Sequence, residues 1–353
     1  MGTAQLTPAE QLKRDISSTR SELTQLVDKV KLSSIRDSYS TLDNAIANLP
    51  LRVQKVRDRE YAFNRILETQ AREFQKQWSL KRGTVLHHIT TESNMLQNLV
   101  RPLENRGAAL SLASTSAMTV KALQNDITAF KSKVTSSERA VNELFDEIKN
   151  EVGKVQAQLN QIEKTLDLAE SACFGFLPTE SVVRAVKAVW TRDDREDKAD
   201  PEGILFLTDQ RLVFEQREEV ATKKVLFMTT ERKMVQELLF EVPVFSIASV
   251  QATKQGMLKN EDWIELEFES GAFARNAKLH LDGQNCNDWQ KLITQVKARE
   301  LDDDRALEID AEAAEKAKAA PVICPSCGGS ITKPVLRGME SIKCDFCGNV
   351  IKL

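Results

Sequence analysis

The run Gly203-Ile204-Leu205-Phe206-Leu207-Thr208-Asp209-Gln210-Arg211-Leu212-Val213-Phe214-Glu215 decides the fold of the middle of the chain. Two apolar stretches of strand length flank four polar residues, the pattern of a β-hairpin with a tight turn at 208–211. Outward from it, the hydrophobic period is two rather than 3.6. A strand is expected at 182–190, with Arg184 and Lys187 interspersed. Further strands are expected at 224–228, 235–242, 248–254, 263–268 and 277–281. Asn287 or Asp288 then caps a helix whose apolar positions are Trp289, Leu292, Ile293 and Val296. Antiparallel strands followed by one amphipathic helix predict a small barrel, with the helix covering edges that a small sheet leaves bare.

The hairpin resembles the signature of the GRAM/PH-like family, and Val242-Pro243-Val244-Phe245-Ser246-Ile247-Ala248-Ser249-Val250 resembles that family's second landmark. The resemblance covers residues 175–300. It implies binding to a lipid surface or a protein and no catalysis. One stretch departs from the lipid-binding pattern of the wider PH class, which commonly uses a basic loop between the first two strands. Here residues 193–202 hold six acids against two bases, which would repel a phosphorylated headgroup. Lys223, Lys224, Arg232 and Lys233 flank the apolar Val225-Leu226-Phe227-Met228 and are candidate contacts to an anionic surface.

The C-terminal residues 321–353 form a third module. Cys324-Pro325-Ser326-Cys327-Gly328-Gly329 and Cys344-Asp345-Phe346-Cys347-Gly348-Asn349 are two Cys-x-x-Cys-Gly turns joined by a spacer that suits short strands, the pattern of a zinc ribbon. Each turn presents two thiolates to one ion, and Gly328 and Gly348 follow where the chain needs positive φ. Ser330-Ile331-Thr332, Val335-Leu336 and Val350-Ile351 suit strands, and Gly338 suits a hairpin tip. Some thirty residues bury too little apolar surface alone, so one structural Zn²⁺ on Cys324, Cys327, Cys344 and Cys347 is expected to supply folding free energy. Four cysteines fill the tetrahedron and leave no open position for catalysis. His87, His88 and His280 are far from these ligands in sequence.

Residues 1–172 carry helical periodicity. Thr7-Pro8-Ala9-Glu10 is a helix start with a capping box. Stripes follow at Leu12, Ile16, Thr19, Leu23, Leu26 and Val30, then, after a phase slip, at Ile35, Tyr39, Leu42, Ile46 and Leu49. Pro50 is expected to break or kink the helix. A second helix is expected from Val53 toward Leu99, bent or ended by Pro102 and Gly107. A third carries Leu123, Ile127, Phe130, Val134 and Val141. After a stutter near Leu144, Ile148, Val152, Val155, Leu159, Ile162, Leu166 and Ala169 alternate by four and three. That spacing favours a left-handed coiled coil, formed within one chain or between chains of a homo-oligomer. Residues 51–82 hold nine Lys/Arg against four acids beside Phe63, Leu67, Phe74 and Trp78. Such a helix can meet anionic lipid, which makes Arg57, Arg65 and Arg72 candidate contacts, or it can be the charged back of a core helix.

The chain of 353 residues has a net charge of −3 and only 6% aromatic residues. A generally basic nucleic-acid binder is thereby excluded. Cys173 and Cys286 lie in apolar stretches outside the ribbon, and no disulfide framework is suggested, so a reducing, cytoplasmic compartment is expected. The first residues lack a secretory or myristoylation pattern, and no apolar run approaches a membrane span. Residues 301–320, rich in Ala, Glu, Lys and Asp, predict a helical spacer. No phosphate-binding loop, dinucleotide fingerprint or nucleophile elbow occurs. The expectation is a non-enzymatic adaptor with protein partners and peripheral contact with an anionic membrane surface. The alternative is a nucleic-acid-associated regulator using the ribbon's Lys333, Arg337, Lys343 and Lys352 together with the basic helix.

Overall fold

A computed structural model describes residues 7–191, 199–225, 228–258, 260–269, 274–331 and 335–353, with the side chains of 220–232 and Lys318 undescribed. The chain divides into two compact units, one of Met1–Leu51 with Thr69–Gln156, the other of Arg52–Glu68 with Ala157–Leu353.

Among the described residues of the N-terminal half there are five helices: α1 (Pro8–Lys29), α2 (Ser33–Asp58), α3 (Leu67–Ala109), α4 (Ala117–Glu143) and α5 (Asp146–Glu170). The capping box that opens α1 is formed, with the Thr7 hydroxyl accepting from the Glu10 amide and the Glu10 carboxylate accepting from the Thr7 amide. The phase slip after Val30 becomes a helix end, with Leu32 in the left-handed region at φ 52°. Pro50 and Pro102 lie inside α2 and α3, so neither proline ends its helix as expected. The expected second helix is instead interrupted at residues 59–66, where Glu60 and Asn64 take positive φ. The stutter near Leu144 separates α4 from α5.

The first unit is built on the stripes read in the sequence. Ile16, Leu23, Leu26, Leu42, Ile46, Leu49, Leu123, Ile127 and Val134 are all buried. Gly107 lets α3 and α1 approach closely: a Cβ there would lie 2.2 Å from the Leu23 Cδ1. The Trp78 indole donates to Asp43 at 2.7 Å and Ser93 donates to the Val30 carbonyl at 3.0 Å, which pairs two of the polar groups buried in the seam. The α5 seam, from Ile148 through Val152, Val155, Leu159 and Ile162 to Leu166, is buried in the single chain.

In the second unit, seven antiparallel strands form one sheet in the order β4-β3-β2-β1-β7-β6-β5. They are β1 (Val182–Thr191), β2 (Glu202–Thr208), β3 (Arg211–Val225), β4 (Met228–Pro243), β5 (Ile247–Gln255), β6 (Glu261–Phe268) and β7 (Asn276–Leu281). Helix α6 (Cys286–Lys297) follows β7. A meander of seven strands followed by one C-terminal helix, with β1 joining its two halves, is a PH-like arrangement. Gly203 is required where β2 meets β3, because a Cβ there would lie 1.9 Å from the Glu215 carbonyl oxygen. The inner face is packed by Leu205, Leu212, Phe214, Phe240, Ile264 and Leu279, while Phe206 faces the other way, against Phe174 and Phe176, and α6 buries Cys286, Trp289, Ile293 and Val296.

Three expectations need correction here. The barrel is not closed by strand pairing, since β4 and β5 are the two edges of the sheet. Helix α6 covers the β5 edge instead: Gln290 accepts from the Ala252 amide at 2.9 Å, and Lys297 donates to the Ile247 carbonyl. The cap of α6 is Asn285, not Asn287 or Asp288. Its side chain accepts from the Asn287 amide at 2.9 Å, while the Cys286 amide is taken by Asp262. The strand expected at 224–228 is the far end of one long hairpin, with Val225 paired to Met228 and residues 226–227 outside the described set. This hairpin outruns the sheet, because β2 pairs with β3 only from Gly203↔Gln216 to Leu207↔Leu212.

Candidate metal centre

The ribbon is built from two similar turns. The Cys324 amide donates to Gly329 and the Gly328 amide returns to Cys324, at 2.8 and 2.9 Å. Cys344 donates to Asn349 and Gly348 returns to Cys344, both at 2.9 Å. Each loop closes on a glycine of positive φ, Gly328 at 72° and Gly348 at 73°, a conformation that costs an L residue about 1–2 kcal/mol. Strands β8 (Ser341–Lys343) and β9 (Val350–Lys352) form the second hairpin, while the first is reduced to the bridge between Ile323 and Ser330. Thr332 and Lys333 lie outside the described residues, and Val335-Leu336 is a loop rather than the expected strand. Ile342, Ile351, Cys324 and Cys344 form a small core, flanked by Ile331, Val335, Met339 and Leu353.

The four sulfurs converge. Sγ atoms of Cys324, Cys327, Cys344 and Cys347 all lie within 4.8 Å of one another. Cys324 is 3.7 Å from Cys347, and Cys327 is 3.8 Å from Cys344. A tetrahedron of sulfurs about 2.3 Å from a central zinc has edges of about 3.8 Å, so the donor set fits such an ion. Protonation supports the fit. Burial opposes ionisation of Cys324, but amides of Cys327 and Ser326 and the Cys327 and Cys344 thiols hold its pKa at about 7. The Gly329 amide favours the Cys327 thiolate, yet crowding by Cys347 and burial push that thiol up to about 12. Crowding thus opposes the Cys327 thiolate, and a central dication removes that conflict. Among the described residues this is the one His/Cys/Asp/Glu cluster with metal-binding geometry. His87 and His88 are exposed on α3, and His280 stacks on Trp263 at 4.9 Å.

The ribbon is tied to the sheet through the β2–β3 turn. Gln210 accepts from the Arg337 amide at 2.6 Å and donates to the Arg337 carbonyl at 3.1 Å. The Asp209 carboxylate takes the guanidinium of Arg337 and that of Arg305, the latter at 2.8 Å, and accepts from the Ser181 amide at 3.0 Å. Only 3% of the Asp209 side chain is exposed. Burial raises its pKa above the usual carboxylate range, although the Ser181 amide and the two guanidiniums pull the other way. Next to it, Arg211 forms a two-pronged pair with buried Glu180, at 2.5 and 2.9 Å. Gly338, at φ 81°, lies against Pro178, where a Cβ would be 3.0 Å from the ring. None of Glu180, Asp209, Gln210 or Arg305 was singled out by the sequence, which reads 208–211 as an ordinary turn. The sequence signals here are Arg337, read among the ribbon's basic residues, and the glycine at 338 at the tip of the ribbon spacer.

The expected surface residues separate. Arg57 is structural: its guanidinium donates to the carbonyls of Tyr61, Phe63 and Asn64 at 2.6, 2.7 and 2.8 Å and pairs with Glu68 at 2.7 Å. Its side chain is 9% exposed, so it has no surface to offer a membrane. It holds the 59–66 loop, whose Asn64 and Arg65 amides donate to Asp304, and Phe63 lies under the Arg305 guanidinium. The spacer expected at 301–320 is therefore partly docked, beginning with a 3₁₀ turn at Glu300–Asp304 and becoming α-helical over α7 (Ala311–Lys318). Arg65 and Arg72 are exposed but belong to different units. Lys233 is exposed on β4. Backbone register pairs Lys223 with Glu231, Lys224 with Thr229, Arg232 with Ala221 and Lys233 with Val220. The side chains of Lys223, Lys224 and Arg232, and the acidic stretch 193–198, lie outside the described residues. No described helix is long and apolar enough to cross a membrane.

No family model matches the chain, and no curated protein matches it. Among solved structures it is similar to the N-terminal PH domain of Vps36, at 13% identity over 36% of this chain and 86% of that one, with a TM-score of 0.25. A DUF1696-family protein with a pleckstrin-homology domain from Shewanella loihica is 15% identical over 39% of this chain and 92% of that one, with a TM-score of 0.22. The DH/PH domains of p115-RhoGEF are 12% identical over 83% and 95%, with a TM-score of 0.25. The PH-like description stands on the strand order and the C-terminal helix of this chain.

Proposed function

We propose that this chain is a non-enzymatic cytoplasmic adaptor. In this reading a PH-like module of the GRAM type, residues 175–300, binds a protein or an anionic membrane surface. A zinc ribbon, residues 321–353, serves as a docking module, and the helical region 1–172 is the scaffold. One observation carries the reading: a PH-like sheet and a four-cysteine ribbon are joined through side chains committed to structure, not to a reaction. Arg211, Glu180, Asp209 and Arg305 are all used in internal pairs. Zinc is the ion favoured by four thiolates in a tetrahedron. All six cysteines are free of disulfides, which supports a reducing compartment.

The long β3–β4 hairpin is the part of the module that supports membrane contact. It extends past β2, and its sequence carries Lys223, Lys224, Arg232 and Lys233 around an apolar end. Attraction to an anionic surface is worth about 1 kcal/mol per basic residue and is screened by salt. Self-association is the less favoured part of the sequence expectation, because the α5 seam is already buried within one chain. The nucleic-acid reading is weakened by Arg337, one of its basic residues, which is spent on Asp209.

Co-sedimentation with vesicles containing phosphatidylserine tests the membrane arm. Charge reversal at Lys223, Lys224, Arg232 and Lys233 together should release the chain, as should high salt. Equal binding by wild type and variant, or equal binding to neutral vesicles, would rule out the hairpin. Binding to duplex DNA with a steep salt dependence would favour the alternative regulator.

A further inference from the structure

The ribbon loop 335–339 lies on the β2–β3 turn in the manner of a bound peptide. Gln210 reads the backbone of Arg337 through both its N–H and its C=O. Asp209 receives the guanidinium, and at the next position φ 81° together with a Cβ 3.0 Å from Pro178 favours glycine. Leu336 is buried in the same segment, 6% exposed. Backbone, charge, a missing side chain and an apolar neighbour are thus all used, as in peptide recognition by pockets and main-chain bonds. We propose that the β2–β3 turn, with Asp209 and Gln210 at its centre, is a receptor for an Arg-Gly segment, occupied by the chain's own Leu336-Arg337-Gly338, and that metal in the four-cysteine centre controls its occupancy.

The coupling follows from the ribbon's small core. Val335 and Met339, which flank the docked residues, pack on the cluster of Ile342, Ile351, Cys324 and Cys344. That cluster includes two of the four sulfur ligands and is too small to fold well without cross-links. Loss of the ion therefore frees the loop. Of its two guanidiniums Asp209 then keeps only that of Arg305, beside the Ser181 amide, and Gln210 keeps neither of its bonds to Arg337. A buried carboxylate that loses one of two cationic partners is driven to open toward water or to accept a replacement. The emptied turn would take an arginine-glycine segment from a partner. This inference rests on the reading that the ribbon holds a metal.

The test is hydrogen exchange on the full-length chain, read by mass spectrometry, with the metal content measured first. Chelation of the wild type should speed exchange about ten-fold or more in peptides covering 177–183 and 336–339. These contain the Ser181 amide that Asp209 holds and the Arg337 amide that Gln210 holds. The variant R337A should show the same change at 177–183 while retaining its metal, and R337K should restore part of the protection. Adding the peptide Val-Leu-Arg-Gly-Met to the chelated chain should restore protection at 177–183, whereas Val-Leu-Ala-Gly-Met should not. Unchanged exchange in R337A, or peptide rescue indifferent to the arginine, overturns the receptor. A chain that carries metal and shows no change at 177–183 on chelation overturns the coupling. A chain purified without metal overturns the metal reading and the coupling together, and R337A then still judges the receptor.

Discussion

Replacing Arg57 by methionine should cost the second unit about 3–5 kcal/mol. Methionine keeps most of the apolar stem and removes the guanidinium. Three carbonyls, those of Tyr61, Phe63 and Asn64, then lose donors at 2.6–2.8 Å. Hydrogen bonds from a charged donor contribute about 1.5–3 kcal/mol each, but three on one group are not additive. The pair with Glu68 adds little, because that carboxylate is 38% exposed and rehydrates. For a unit of this size the loss corresponds to a fall in Tm of roughly 10 °C. Differential scanning calorimetry of the whole chain reads the fall, and hydrogen exchange localises it to residues 59–66. Arg65→Met and Arg72→Met, which remove exposed charges, should each change stability by less than about 0.5 kcal/mol. A Tm for Arg57→Met within about 1 °C of wild type, with the 59–66 amides unmoved, would refute the structural role and return Arg57 to the surface.

Four further outcomes are expected. Gly203→Ala should cost about 3 kcal/mol or more, since the Cβ meets the Glu215 carbonyl and two paired strands cannot separate locally; loss of near-UV circular dichroism would register it. Metal analysis should give one ion per chain, abolished or sharply reduced by Cys324→Ser; a full complement in that variant would remove Cys324 from the ligand set. Of the chain's two tyrosines, Tyr61 should ionise only near pH 12, because burial raises its phenol and the Arg184 and Arg57 guanidiniums offset only part. Its folded pKa lies above the unfolded value near 10, so the neutral phenol's contribution is complete below pH 10 and is lost as pH rises toward 12, seen as a late step in phenolate absorbance. Leu159→Asp places a charge at a position with no solvent exposure and should unfold the α5 seam, while light scattering of the wild type should report a single chain; a stable wild-type oligomer that the substitution merely dissociates would restore pairing between chains.

Much of this protein was legible in residue order. Helical periodicity of 3.6 and strand periodicity of two are properties of local backbone geometry, so the stripes from Ile16 to Leu166 and the hairpin 204–215 could be read directly. The four cysteines were legible for the same reason, since each pair of ligands is three residues apart and each turn closes on its own glycine. Prolines misled: Pro50 and Pro102 are carried inside helices whose remaining hydrogen bonds and tertiary packing hold them. The role of Arg57 could not be read, because a basic residue beside aromatics has the same spacing on a membrane-facing helix as at a loop anchor. What distinguishes the two is where the chain turns after Asp58, and that turn is set by Asn64, Asp304 and Phe63 across more than two hundred residues. The sheet edge covered by Gln290 and Lys297, and the receptor made by Asp209 and Gln210 for Arg337, belong to the same class. Periodicity and spacing are written along the chain, whereas pairing between distant polar side chains is selected by packing and exists only once the chain has folded.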